Sequence, residues 1–295
     1  MKSKITTIKK LLFLVVFVLQ SFTLIFGQNK PDDPVSISFN DNGDLLQGWF
    51  YKATGDGPFS TAILLQGSVG QDGDFFHLGE NLAKNGFNAM TYSYPGAWRS
   101  EGLRTDKDAL NSVQTAINFL MSKSTIESFE IDTTNIILIG YSYGGGMALL
   151  GSALNGRVKK VISIAGGDLS IRAKELEESP EFRQNFEEMI DNFLSNPIMV
   201  RGSSGKEYVE SMITNKHKFD VKKYAPELAK KDVLLIVGSS DNLVNTETHV
   251  MPLYRDLLSH RDGNVSITTF ETDHQFTNVQ KELNEVIIKW LKKDE

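Results

Sequence analysis

The sequence predicts an α/β fold: a mostly parallel, eight-stranded sheet with helices on both faces and a helical insertion late in the chain. Three observations carry that prediction. Apolar runs of strand length alternate with amphipathic helical stretches from about residue 60 onward, the pattern of right-handed βαβ crossovers whose strands are buried on both sides. A strand–turn–strand unit precedes them and fits one edge of such a sheet. One segment, about 168–230, holds charged, helix-like pieces and no convincing strand.

Pro31–Pro34 reads as a short linker. "VSISFN" and "LLQGWFYKA" flank the turn "DNGD" and predict a hairpin. "STAILLQG" is an unbroken apolar strand, and "FFHLGENLAKNG" has helical spacing with a glycine stop at Gly86. "FNAMTYSY" predicts a strand; "TDKDALNSVQTAINFLMSK" predicts a helix capped by Thr105 or Asp106. "NIILIG", the helix "GGMALLGSALNG" and the strand "VKKVISIAG" follow. The insertion contains "IRAKELEESPEFRQNFEEMIDNFLSN" and "GKEYVESMITNK" and is expected to act as a lid. Beyond it come the strand "DVLLIVG", the helix "ETHVMPLYRDLLSH", the strand "NVSITTFE" and the helix "VQKELNEVIIKWLKK".

The first residues belong to another class. "MKSKITTIKK" carries four lysines and no acid, and "LLFLVVFVLQSFTLIFG" follows, with its dense apolar part confined to Leu11–Leu19. That is well short of the ~20 residues needed to span a bilayer. The pattern is that of a secretory signal peptide over residues 1–27, cleaved near Gly27 or Gln28 and leaving a mature domain, 28–295, with no stable membrane insertion. Its removal leaves 27 basic residues against 37 acidic ones, a net charge of −10 in place of −6. Such a balance, with no basic block in the body, argues against nucleic acid as a partner. The chain has no cysteine, which excludes disulfides, thiolate metal sites and a cysteine nucleophile.

The chemistry is concentrated around "GYSYG", Gly140 to Gly144, set between a buried strand and a helix. A serine on that sharp turn needs small neighbours, because the helix passes close to the strand. Ser142 is then a candidate nucleophile. A hydroxyl attacks only if a base takes its proton, and the base works best when an acid fixes its tautomer. Those partners are expected at later strand ends. "LLIVGSSDNLV" places Asp241 there, and "ITTFETDHQF" places His274. Asp168, after "VISIAGG", is the alternative acid; Asp273 adjoins His274 and is expected to point away from it. His77, His249 and His260 fall in helical stretches and His217 in the insertion. An oxyanion hole requires two backbone N–H groups. Tyr143 should supply one, and the loop "GSVGQDG" the other, from Ser68 or else Val69. Tyr94 and Trp98 are candidate pocket residues, although Trp98 reads equally as a packing residue.

These segments resemble the α/β-hydrolase superfamily over essentially the whole mature chain. "YSYPGAWRSEG" resembles the loop after the fourth strand, "VGSSDNLV" the acid loop, and "TDHQFTNVQKELNEVIIKWL" the closing histidine and helix. Gln66 departs from the pattern, since most members carry histidine there. The resemblance is to prolyl-oligopeptidase-like and dienelactone-hydrolase-like members. It implies a serine hydrolase acting on a small ester, expected to be exported on account of its N-terminal pattern, with a peptidase of short peptides or an inactive binding protein as alternatives. No metal or cofactor is implied, and the oligomeric state is open.

Overall fold

The computed structural model describes residues 33–68, 72–260 and 264–294; the signal peptide read at 1–27, and Val69 in the oxyanion loop, lie outside them. β1 (Val35–Asp41) and β2 (Asp44–Tyr51) form the expected hairpin, with Asp41 opposite Asp44. Asn42 and Gly43 between them take φ of 55° and 107°, the two-residue turn whose twist suits the flanking strands. β3 (Phe59–Leu65), α1 (Leu78–Lys84), β4 (Asn88–Tyr92), α2 (Asp106–Leu120) and α3 (Lys123–Phe129) follow, then β5 (Ile131–Tyr141), α4 (Tyr143–Ala153) and β6 (Val158–Ile164). After the insertion come β7 (Asp232–Gly238), β8 (Val265–Phe270) and α10 (Gln280–Leu291); α5 to α9 are placed below.

The eight strands make one sheet in the order β1-β2-β4-β3-β5-β6-β7-β8. β1–β2 and β2–β4 pair antiparallel, and every pairing from β4 through β3 to β8 is parallel. Alternate strand residues divide between two cores. Ile63, Leu65, Leu138 and Val161 face α2 and α4, whereas Leu64, Ile137, Ile139 and Ile162 face α1 and α10. Both faces are covered, which is why these strands read as continuous apolar runs.

Two helices differ from expectation. The stretch after Thr105, whose Oγ1 accepts from the Asp108 amide at 3.0 Å, ends at Leu120, and Ser122 caps a separate α3. The helix expected over 247–260 opens as a π turn, Thr246–Val250, before α9 (Met251–Ser259). Pro252 has no amide to donate and starts a new helix there.

Between β6 and β7 the described chain is helical: α5 (Leu169–Glu178), α6 (Pro180–Leu194), α7 (Gly205–Asn215) and α8 (Ala225–Leu228), with short 3₁₀ turns. Each of the first three has a polar N-cap: Asp168, Ser179 and Ser204. The insertion is stitched to the loop after β4. Ala97 pairs with Val200 and Arg104 with Gly202, while the amides of Trp98 and Arg104 donate to Met199 and Arg201. Among the described residues no helix is long and apolar enough to cross a membrane.

Candidate active site

β5 ends at Tyr141 and α4 begins at Tyr143, so Ser142 occupies the whole turn between strand and helix. Its backbone sits at φ 54°, ψ −119°, a conformation L-residues rarely adopt. The turn is held by the Ser142 amide donating to Ile164 O at 2.8 Å, and by Gly145, Gly146 and Gly167 amides donating to Ser142 O. The flanking glycines are steric requirements. A Cβ on Gly140 would lie 1.9 Å from Gly144 O, and one on Gly144 would lie 2.1 Å from Leu65 O. Helix and strand approach so closely that only hydrogen fits between them.

The next strand ends supply two partners. His274 Nε2 lies 2.9 Å from Ser142 Oγ, and His274 Nδ1 lies 2.7 Å from Asp241 Oδ2. Asp241 Oδ1 accepts from the amides of Leu243 and Val244, both at 2.8 Å. Burial raises the Asp241 pKa, but the bonds from His274 and these amides outweigh it and hold the carboxyl below its ordinary range. Tyr141 fixes the histidine from behind, its hydroxyl donating to His274 O at 3.1 Å with the rings 5.3 Å apart. An imidazole held between a hydroxyl and a carboxylate is able to take the hydroxyl proton while the carboxylate keeps its tautomer.

Asp168 is engaged elsewhere. Its Oδ1 caps α5 through the amides of Ser170 and Ile171 at 2.8 and 3.4 Å, and its own amide donates to His249 Nδ1 at 3.2 Å. His249 Nε2 in turn lies 3.2 Å from Glu175, so this second histidine ties α5 to the π turn. Asp273 is exposed, whereas His274 is buried.

Tyr143, as first residue of α4, has an amide with no intrahelical acceptor. Ser68 borders the spaces on both sides of Ser142. Gln66 is buried behind it, donating from Nε2 to Gly73 O at 2.7 Å and so bracing the loop from inside. One space, about 440 Å³, lies beneath the insertion and is walled by Leu169, Phe182, Phe186, Met189 and Phe193. The other, about 700 Å³, is more polar and bordered by Asp74, Tyr141, Gln275 and Gln280.

Tyr94 and Trp98, expected in the pocket, line neither space. Tyr94 is buried behind Tyr143, its ring 5.7 Å away edge-on, with its hydroxyl reaching Gln66 O at 3.4 Å. The Trp98 backbone is fastened to the insertion: its amide donates to Met199 O and its carbonyl accepts from Arg201. The loop after β4 folds under the insertion instead of rimming the site, and the insertion supplies the apolar wall. A further group was missed from sequence. The hydroxyls of Tyr143 and Tyr208 both donate to Asp106 Oδ1, at 2.9 and 2.5 Å, and Arg104 lies over the rings of Tyr94 and Tyr143 at 4.6 and 4.4 Å. Only the Thr105–Asp106 cap hinted at a polar residue here. Among the described residues no cluster of three or more His, Cys, Asp or Glu is placed to hold a metal ion.

The model of the family described as "Serine aminopeptidase, S33" matches residues 57–270. Among curated proteins, "Uncharacterized protein YfhR" of Escherichia coli O157:H7 is 28% identical over 144 residues, 47% of this chain and 49% of that protein. The matched chain thus spans about half the length of that relative. Among solved structures, 2,6-dihydroxy-pseudo-oxynicotine hydrolase superimposes with a TM-score of 0.66 at 16% identity, over 90% of this chain and 70% of that one. Est1E from Butyrivibrio proteoclasticus, with ferulic acid bound, gives 0.65 at 16% identity, over 86% and 97%. At such identities these two establish the fold, an α/β-hydrolase.

Proposed function

The chain belongs to the serine aminopeptidase S33 family, and from that premise we propose that it is an exported serine hydrolase that cleaves carboxylic esters through an acyl-enzyme. The observation that carries the proposal is the unbroken hydrogen-bond chain Ser142–His274–Asp241 at a strained turn. Ser142 Oγ attacks the ester carbonyl as His274 Nε2 takes its proton. Asp241 stays ionised and stabilises the imidazolium. The tetrahedral oxyanion lies against the amides of Tyr143 and Ser68. Collapse expels the alcohol, which leaves with the proton from His274; water then repeats the sequence and frees the acid.

The ester preference rests on the two spaces. The apolar one suits an acyl chain, and the polar one an alcohol leaving group. A second reading, an aminopeptidase, is favoured by the family's description and by Asp168, the one carboxylate among the described residues that border the apolar space. Against it, Asp168 is committed to capping α5, burial pushes its pKa up, and Arg172 in the same wall would repel an α-amine. The acids of "KELEESPEF" and "NFEEM" border neither space; Glu175 pairs with Arg172 and Glu187 with Arg183.

The deciding measurement is kcat/KM on short acyl esters against aminoacyl amides, with fluorophosphonate labelling of wild type and Ser142→Ala. Esters are expected to lead, and labelling to vanish in the variant. Equal labelling of both proteins removes Ser142 as nucleophile, and a clear amide preference replaces the esterase with the peptidase.

A further inference from the structure

Two guanidinium groups stand beside the apolar space, and their circumstances differ. Arg172 is fully engaged, paired with Glu175 at 2.9 Å, donating to Leu243 O and stacked over Phe182. Arg104 is 5% exposed, and neither Nη1 nor Nη2 has a hydrogen-bond partner among the described residues. The rings of Tyr94 and Tyr143 cover it, but a guanidinium donates in its plane, and stacking leaves those donors unmet. The carboxylate whose charge acts on it, Asp106, accepts from Tyr143 and Tyr208, and the Tyr208 hydroxyl is the polar group nearest to meeting Arg104. A buried cation with idle donors costs stability that an incoming acceptor restores.

The donors are beside a usable space. Arg104 lines a recess of about 20 Å³ with Ser68, Phe193, Ser203 and Tyr208. Ser68, Phe193 and Tyr208 also border the space over Ser142, so the recess is an annex of it. It has room for one oxygen-sized group, the tip of a chain and little more. The rest of that space is mainly apolar.

We propose that this annex is an anion subsite: the acyl chain that Ser142 receives runs through the apolar space and ends in a carboxylate bound by Arg104. The proposal rests on the serine-hydrolase reading and adds the substrate class, the half-ester of a dicarboxylic acid. Arg104 would act as a specificity residue, and Tyr208 would hold Asp106 away from it.

The test is a series of mono-p-nitrophenyl esters of dicarboxylic acids with two to six methylenes, each matched to the alkanoate ester carrying a methyl in place of the carboxylate. Rates are normalised to hydroxide-catalysed hydrolysis and read as the ratio of kcat/KM within each pair. Wild type is expected to favour the carboxylate about ten- to hundredfold at one or two chain lengths, the scale of a charge-assisted hydrogen bond. Arg104→Met should bring that ratio to one or below whatever happens to the absolute rates, and Arg104→Lys should retain part of it. No preference at any length in wild type, or an undiminished preference in Arg104→Met, overturns the subsite and leaves the recess to water. If Arg104→Met does not fold, the wild-type and Arg104→Lys ratios decide. Failure to cleave any ester would count against the hydrolase reading instead. Calorimetric titration of Ser142→Ala with adipate and with dimethyl adipate then judges the subsite alone: tighter binding of the neutral diester sinks it.

Discussion

Ser142 shows how much a single backbone position carries. A residue at φ 54°, ψ −119° stores strain on the order of 1–3 kcal/mol, and it persists because four backbone groups around the turn, Ile164 O and the amides of Gly145, Gly146 and Gly167, fix it. Side chain and backbone therefore separate under mutation. Ser142→Ala should abolish ester turnover and leave the melting temperature within a few degrees of wild type. Gly144→Ala, whose Cβ would meet Leu65 O at 2.1 Å, should lose both activity and stability. Equal melting temperatures for the two variants would contradict the steric account. Two carboxylates near Ser142 respond to pH with opposite sign. Asp241 is held below its ordinary pKa, so its contribution is present above about pH 4 and is lost as pH falls through the depressed value. Burial pushes Asp74 up to about 6 although the amides of Gly79 and Glu80 pull the other way, so its contribution is present below the unfolded value and is lost as pH rises through about 6. Thermal melts from pH 3 to 8 should show Asp241→Asn flattening the acid limb and Asp74→Asn flattening the fall between about pH 4 and 6; interchanged effects would refute both assignments. At this scale Ser142, Asp241 and His274 were legible because topology sends strand ends to one rim. Arg104 and Tyr208 were not. They lie on a loop and on the insertion, and no periodicity links residues about a hundred positions apart.

Elements were legible wherever one period served one purpose. The central strands, buried on both faces, and α1 and α10, buried on one, followed their patterns, whereas β1 at the edge alternates exposed with buried residues. The insertion was legible as helical, but not which of its side chains line the site, and α6 shows why. Of its apolar residues only Ile190 is fully buried, while Phe182, Phe186, Met189 and Phe193 border the space over Ser142. An apolar stripe facing a cavity reads the same as one facing a core, so the sequence located the helix without saying which of its side chains wall the cavity. α7 is anchored differently, by a capping box in which Ser204 Oγ accepts from the Glu207 amide while Glu207 accepts from the Ser204 amide. Ser204→Ala should cost about 1 kcal/mol. The loss should appear first as faster amide exchange in α7 and its neighbours, with the exchange of β5 and β6 unchanged. Uniform acceleration through the sheet would mean that the insertion and the sheet unfold together.

The molecule as a whole combines a chain with no cysteine, an acidic body and a basic, apolar first 27 residues, which we propose to be an export leader. These fit one itinerary. The body needs no disulfide to be stable, so transfer between compartments of different redox poise leaves its bonding unchanged. Residues 1–27 hold four lysines against no acid, and their removal would deepen the net charge from −6 to −10. Expressed in a bacterium that exports through such leaders, the protein should appear outside the cytoplasm with an intact mass lacking about residues 1–27. Placing arginine at both Val15 and Val16 interrupts the apolar stretch of the leader and should trap the full-length chain inside. A full-length mass in the exported fraction would mean that the leader is retained as an anchor. Cytoplasmic recovery of the unaltered chain would remove the export reading while leaving the chemistry at Ser142 intact, because the leader and the Ser142–His274–Asp241 chain share no residue.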